Sequence, residues 1–152
     1  MKFTNEVIIN APKNVVVKLF QDEKYYEKWQ EGFIGMTHLS GTPGENGAKT
    51  EMKYKMGKGE MIIIETIIEN NLPHNFYGNY WHKSTENTME VFFHEIDPTT
   101  TRYESHVEYI RFTGFMLKVI KTIMPGMFKK QVQKWMVNFK NFVEEFEDSR
   151  IQ

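Results

Sequence analysis

Residues 126–147 read GMFKKQVQKWMVNFKNFVEEFE, and within them Phe128, Val132, Trp135, Phe139, Phe142 and Phe146 recur at alternating steps of four and three. That spacing returns to one face of an α-helix. Met136 and Val143 widen the stripe, while Lys130, Gln133, Lys134, Asn138, Lys140, Asn141, Glu144 and Glu145 fall on the other faces. A helix opened by Pro125 and running to Glu147 would be about 33 Å long, enough to cross the whole sheet of a small domain. Upstream, Met116, Val119, Ile120 and Ile123 form a shorter apolar run, expected as a separate short helix that breaks at Pro125-Gly126.

Between Phe33 and Phe112 the period changes to that of strands, with turn residues between them: Gly41 to Gly47, Gly57-Lys58-Gly59, Asn70 to Pro73, Ser84 to Asn87, and Asp97 to Thr100. Six strands fit between these breaks. Ala48, Thr50, Met52, Tyr54 and Met56 alternate with Lys49, Glu51, Lys53 and Lys55, so one face is charged and the other is apolar with a hydroxyl and a phenol. Tyr103, Ser105, Val107 and Tyr109 alternate in the same way with Arg102, Glu104, His106 and Glu108. The segments around Met61 to Glu69, Asn75 to Lys83 and Thr88 to Ile96 are apolar on both faces, which leaves their register open.

Lys2 to Ile9 alternates as a further strand with one buried face. Asn10-Ala11-Pro12 supplies a capping side chain and a first-turn proline for a short helix carrying Val16, Leu19 and Phe20. Asp22 then caps a second one, with Tyr25, Tyr26 and Trp29 on one face.

A chain of 152 residues is of a size for one domain, here spanning residues 1–152 without repeat or linker. Lysine and arginine total 19 against 20 acidic residues, which provides no field for nucleic acid and excludes it as an expected partner. The chain has no cysteine, so disulfides, thiol nucleophiles and thiolate metal sites drop out, and a reduced cytoplasmic location is expected. No stretch reaches the roughly 20 apolar residues of a membrane span, and the first residues lack the pattern of a cleaved leader. Twelve Phe, seven Tyr, three Trp and ten Met are a large supply of bulky side chains, enough for an aromatic core or for adaptable cavity walls.

The order strand, two short helices, six strands, long helix resembles the helix-grip fold of the START-like, Bet v 1-like superfamily, which includes bacterial polyketide cyclase and dehydratase relatives. The likeness covers essentially the whole chain. It is carried by Ile9-Asn10-Ala11-Pro12 with Val15 or Val16 and Asp22, by Trp29, by Gly41-Thr42-Pro43-Gly44 with Gly47, by Leu72-Pro73, and by the helix from Met127. Val16 departs from it, since many relatives place tryptophan there. These are turn and packing signals, specific for fold and nearly silent about chemistry. The resemblance implies an α+β domain in which a curved seven-stranded antiparallel sheet wraps the terminal helix around a cavity. The expected walls are Met52, Tyr54, Met56, Tyr80, Tyr103, Tyr109, Trp135, Met136 and Phe139, with Trp29 near an opening.

No serine-histidine-acid order, phosphate loop or nucleotide fingerprint is present, and no cofactor is expected. Simple hairpins would set His82 opposite Met89 and His106 opposite Val91, with His94 several residues away, too dispersed for a shared metal. Glu65 is the carboxylate of interest. A two-residue turn at Lys58-Gly59 would pair it with Met52 and aim it into the cavity beside Met61, Ile63 and Ile67, whereas a turn longer by one residue would point it to water. The function expected is binding or transport of a hydrophobic lipid, polyketide or aromatic metabolite, with no catalytic residue assigned. The alternatives are a cyclase or dehydratase using Tyr54, Tyr109 or Glu65, and a co-chaperone-like interaction domain using Phe115 to Lys130, where lysines could also touch an anionic membrane. A homodimer is compatible with each.

Overall fold

The computed structural model describes residues 1–122 and 126–151. Seven strands, β1 (Lys2–Ile9), β2 (Phe33–Ser40), β3 (Lys49–Met56), β4 (Gly59–Asn71), β5 (Asn75–Trp81), β6 (Thr85–Asp97) and β7 (Thr100–Phe112), form one antiparallel sheet. Their spatial order is β1-β7-β6-β5-β4-β3-β2, so every neighbour but one is joined by a direct connection and β1 closes on the last strand. Between β1 and β2 lie α1 (Lys13–Gln21), a 3-10 turn (Glu23–Tyr25) and α2 (Tyr26–Trp29); α3 (Phe115–Thr122) and α4 (Gly126–Ile151) follow β7. This is the expected helix-grip arrangement. The place of Pro125 at the head of α4 lies outside the described residues.

Local chemistry explains most of these elements, with three differences. Pro12, with φ −61°, is the N-cap residue of α1 and receives Val15 and Val16 N–H at 3.0 and 3.1 Å. The Asn10 side chain makes no cap; its backbone N–H instead donates to Glu144 Oε2 at 2.9 Å and ties the end of β1 to α4. Asp22 caps as expected, Oδ1 accepting from Lys24 N–H at 3.2 Å. Finally, α4 has 26 residues and so reaches about 39 Å, one turn beyond Glu147.

Register differs from the simple hairpins in an informative way. The β5–β6 turn is Lys83-Ser84, closed by His82 and Thr85, so His82 faces Thr85 and not Met89. A shift between Glu95 and Asp97 inserts one residue into the β6–β7 ladder and puts His106 opposite Glu90, leaving Val91 to Ser105. Such bulges bend a strand and sharpen its twist. Others fall at Phe33/Gly35 and His38/Ser40, at Ile67/Glu69 and at Glu86/Asn87, distributed as a sheet curling around a helix requires.

One end of the enclosed space is solid. Phe20 sits at its centre, with ring centroids 5.1 Å from Phe93, 5.9 Å from Trp29 and Phe139, and 6.0 Å from Tyr103. Val16, Ile9 and Val143 are fully buried around them. Burial of this many large apolar groups, at about 1.5 to 3 kcal/mol each, makes this half the main source of stability.

Candidate functional site

Directly opposed residues of an antiparallel ladder lie on the same face. One rung of the inner face therefore runs Thr50, Glu65, Tyr80, Asn87, Tyr109 across β3, β4, β5, β6 and β7. Towards the β3–β4 turn it is flanked by the pairs Met52–Ile63 and Tyr54–Met61. On the other side lie Ile67, Gly78, Met89, Val107 and Phe3. The five residues of the Glu65 rung are all half-buried, as are Met61, Ile63 and Met89, although they face the helix side. Helix α4 approaches the backbone of β1, α2 and α1 most closely and reaches β3 and β7 through Trp135 and Phe139. Around Glu65 the inner face thus carries half-buried side chains, where the opposite end has a packed core.

Glu65 lies on this inner face. The β3–β4 turn is Gly57-Lys58, with φ +58° at Gly57, one residue earlier than expected. The carboxylate consequently opposes Thr50 and not Met52, a two-residue slide that preserves the face. Burial pushes the Glu65 carboxyl above its ordinary range, and a hydrogen bond from the Tyr80 hydroxyl offsets part of that shift. The same burial, reinforced by the Glu65 charge, raises Tyr26, Tyr54 and Tyr80 well above the usual phenol value. All three phenols stay neutral at physiological pH and can both donate and accept.

The supports of this cluster are specific. Gly78 leaves a flat spot over which the Tyr80 ring lies: a Cβ there would meet the Tyr80 Oη at 2.9 Å and its ring carbons at 3.1 Å. Tyr54 donates its hydroxyl to Gln30 Oε1 at 2.6 Å, locking β3 to the end of α2, with Met52 Sδ at 4.0 Å. Trp135 of α4 lies 5.6 Å from the Tyr54 ring, and its Nε1–H is buried with no partner among the described residues.

Of the expected wall residues, Tyr80 opposes Glu65, Met52 lies one same-face pair along, and Tyr54, nearer the β3–β4 turn, packs 5.6 Å from Trp135. Tyr109 belongs to a second aromatic group, 4.7 Å from Phe128 and 5.2 Å from Phe112, and burial pushes its hydroxyl up to about 12. Trp29, Tyr103, Met136 and Phe139 are placed in the solid core. Met56 is at the hairpin end and 60% exposed. Tyr26 and Gln30 were missing from the expected set. The sequence signals Tyr26 only by the helix face it shares with Trp29 and Gln30 only by its adjacency to Trp29.

The histidines come closer than their sequence spacing suggests. On the outer face, Glu104 bridges His94 Nε2 at 3.2 Å and His106 Nε2 at 2.5 Å, with Arg102 at 3.4 Å. Hydrogen bonding from His106 lowers the Glu104 carboxyl. Among the described residues no group of three or more His, Asp or Glu is placed to hold a metal ion. Two open hollows, of about 540 Å³ over Gly44, Glu45, Asn46 and Asn70 and about 270 Å³ over Asn14, Lys18, Gln21 and Pro73, lie on loops and helix surfaces outside the grip. No helix among the described residues is long and apolar enough to cross a membrane.

A seven-stranded antiparallel sheet curled around a long C-terminal helix, with short helices after β1, is the START-like, Bet v 1-like helix-grip fold. Solved structures share it over nearly the whole chain. The Zhui aromatase/cyclase from a Streptomyces species superposes with a TM-score of 0.73 at 10% identity, covering 100% of this chain and 96% of that one. Ara h 8.0201 gives 0.72 at 10% identity over 94% and 97%. A START superfamily protein from Mycobacterium smegmatis gives 0.62 at 10% identity over 87% and 94%. No protein-family model matches the sequence, and no curated protein does.

Proposed function

We propose that this chain binds a hydrophobic small molecule in the recess between α4 and the inner face of β3 to β7. The carrying observation is that Met61, Ile63, Glu65, Tyr80, Asn87, Met89 and Tyr109 face the helix side and yet stay half-buried. Closing a guest over such walls is worth about 25 cal/mol per Å² of apolar surface removed from water. The few polar groups among them, Glu65, Tyr80 and Thr50, would orient one polar end of that guest. The fold neighbours support this reading through the START superfamily protein and the aromatase/cyclase among them.

The test is a fluorescence titration with the neutral apolar probe N-phenyl-1-naphthylamine. One saturable site is expected, lost in Ile63→Trp, which fills the recess. Non-saturable binding, or unchanged affinity in the folded Ile63→Trp variant, would reject the proposal. A second reading, proton transfer of the cyclase type, is favoured by one feature: the desolvated Glu65 carboxyl beside the Tyr80 hydroxyl, an acid-base pair in an apolar setting. Turnover of a linear polyketide substrate, abolished in Glu65→Gln with binding retained, would establish it.

A further inference from the structure

Glu65 lacks a counter-charge. Among the described residues no lysine, arginine or histidine forms an ion pair with it, whereas ion pairs engage Glu6, Glu31, Glu51, Glu86, Glu104, Glu108, Glu144 and Glu147. The lysines of β3 lie on the opposite face of the sheet: Lys53 pairs with Glu51 at 4.0 Å, and Lys49 donates to Thr66 Oγ1 at 3.2 Å. Lys134, next to Trp135, reaches out to Glu31 at 2.7 Å. A desolvated carboxylate without a cation is costly, and a bound ligand can supply the missing charge.

The surroundings suit a cation. Tyr80 is the cross-strand partner of Glu65. The Tyr54 hydroxyl leans over Met52 towards the Glu65 rung, and the Trp135 ring stacks obliquely on Tyr54. Electron-rich ring faces attract ammonium groups, most strongly where water is excluded. The Tyr80 and Thr50 oxygens are acceptors for N–H groups that the carboxylate does not take. An anionic head group would meet Glu65 with no cation to receive it, and a neutral alcohol would leave its charge uncompensated.

We propose that the ligand of this recess is an apolar molecule bearing a protonated amine, its ammonium seated on Glu65 between Tyr80 and the Tyr54–Trp135 pair. The inference rests on the ligand-binding reading above and specifies the class of molecule bound.

Calorimetric titration of the full chain with decylamine, decanol and decanoate at one pH and ionic strength tests it. Decylamine is expected to bind at least about 10-fold more tightly than decanol, with decanoate weakest, since an unmatched buried charge costs this much or more. Glu65→Gln should remove the amine preference, so that decylamine no longer binds more tightly than decanol. Tyr80→Phe, which keeps the ring, should narrow the preference for decylamine over decanol and serves if Glu65→Gln fails to fold. Decanol or decanoate binding as well as decylamine would overturn the amine class while sustaining the small-molecule reading. Failure of all three to bind folded protein would overturn both.

Discussion

Glu65 and Tyr80 oppose each other across β4 and β5 on the inner face of the sheet, and the Tyr80 ring lies over the bare backbone of Gly78. The pair sets a titratable group among half-buried side chains, while the other end of the grip is closed by Phe20, Phe93 and Phe139.

That titration has a definite sign. Burial raises the Glu65 carboxyl above its ordinary 4.5, so between that pH and its folded value the native state keeps a proton the unfolded chain has lost. Native protein then binds more protons, and stability falls as pH rises through that window. Glu65→Gln should therefore be more stable than the parent at pH 8 by about 1 to 3 kcal/mol. The gap should vanish below about pH 4, where both states hold the proton. Urea midpoints across this range measure it. Glu104, lowered by His106, acts oppositely: its contribution is present above the ordinary carboxylate value and is lost in acid.

Gly78→Ala should displace the Tyr80 ring, because the new Cβ meets Tyr80 Oη at 2.9 Å. The neighbour in the way is a side-chain end, so the stability cost should stay near 1 kcal/mol. Probe binding in the recess should change more than the melting temperature does.

Tyr54→Phe removes the donor to Gln30 Oε1, an acceptor on a residue only 6% exposed. An orphaned buried acceptor costs about 1 to 3 kcal/mol, and chemical denaturation should report a loss of that size. Tyr54→Phe combined with Gln30→Leu should recover part of it, since both partners of the bond are then gone.

Phe139→Ala, at a fully buried position in the solid half, should cost about 3 to 5 kcal/mol. Met56→Ala, at the exposed hairpin end, should stay within about 0.5 kcal/mol of the parent. The same unfolding assay compares the two.

Much of this architecture was legible because its signals are local. The stripe from Phe128 to Phe146 defined α4, and the alternation from Ala48 to Met56 defined the faces of β3. The inward aim of Glu65 survived because the turn moved by one residue without changing length, and parity was kept. Bulges were not legible: the extra residue near Ile96 shifts β6 against β7 by one and sets His106 opposite Glu90. Nor could alternation separate Tyr103 from Tyr109, two inward tyrosines of β7. Tyr103 is sealed by Phe20 of α1 and Phe139 of α4, whereas Tyr109 lies beyond the reach of α1 and meets Phe112 and Phe128 instead. That distinction depends on where the helices pack, which no strand pattern encodes.

The most direct measurement is methyl NMR of the ten methionines during titration with N-phenyl-1-naphthylamine, whose ring currents mark the side chains it touches. Met61 and Met89, on the inner face beside the Glu65 rung, should shift together and saturate at one equivalent, while exposed Met56 stays still. Shifts confined to Met56 and Met127, both on the surface, with Met61 and Met89 unmoved, would contradict a guest held between the sheet and α4.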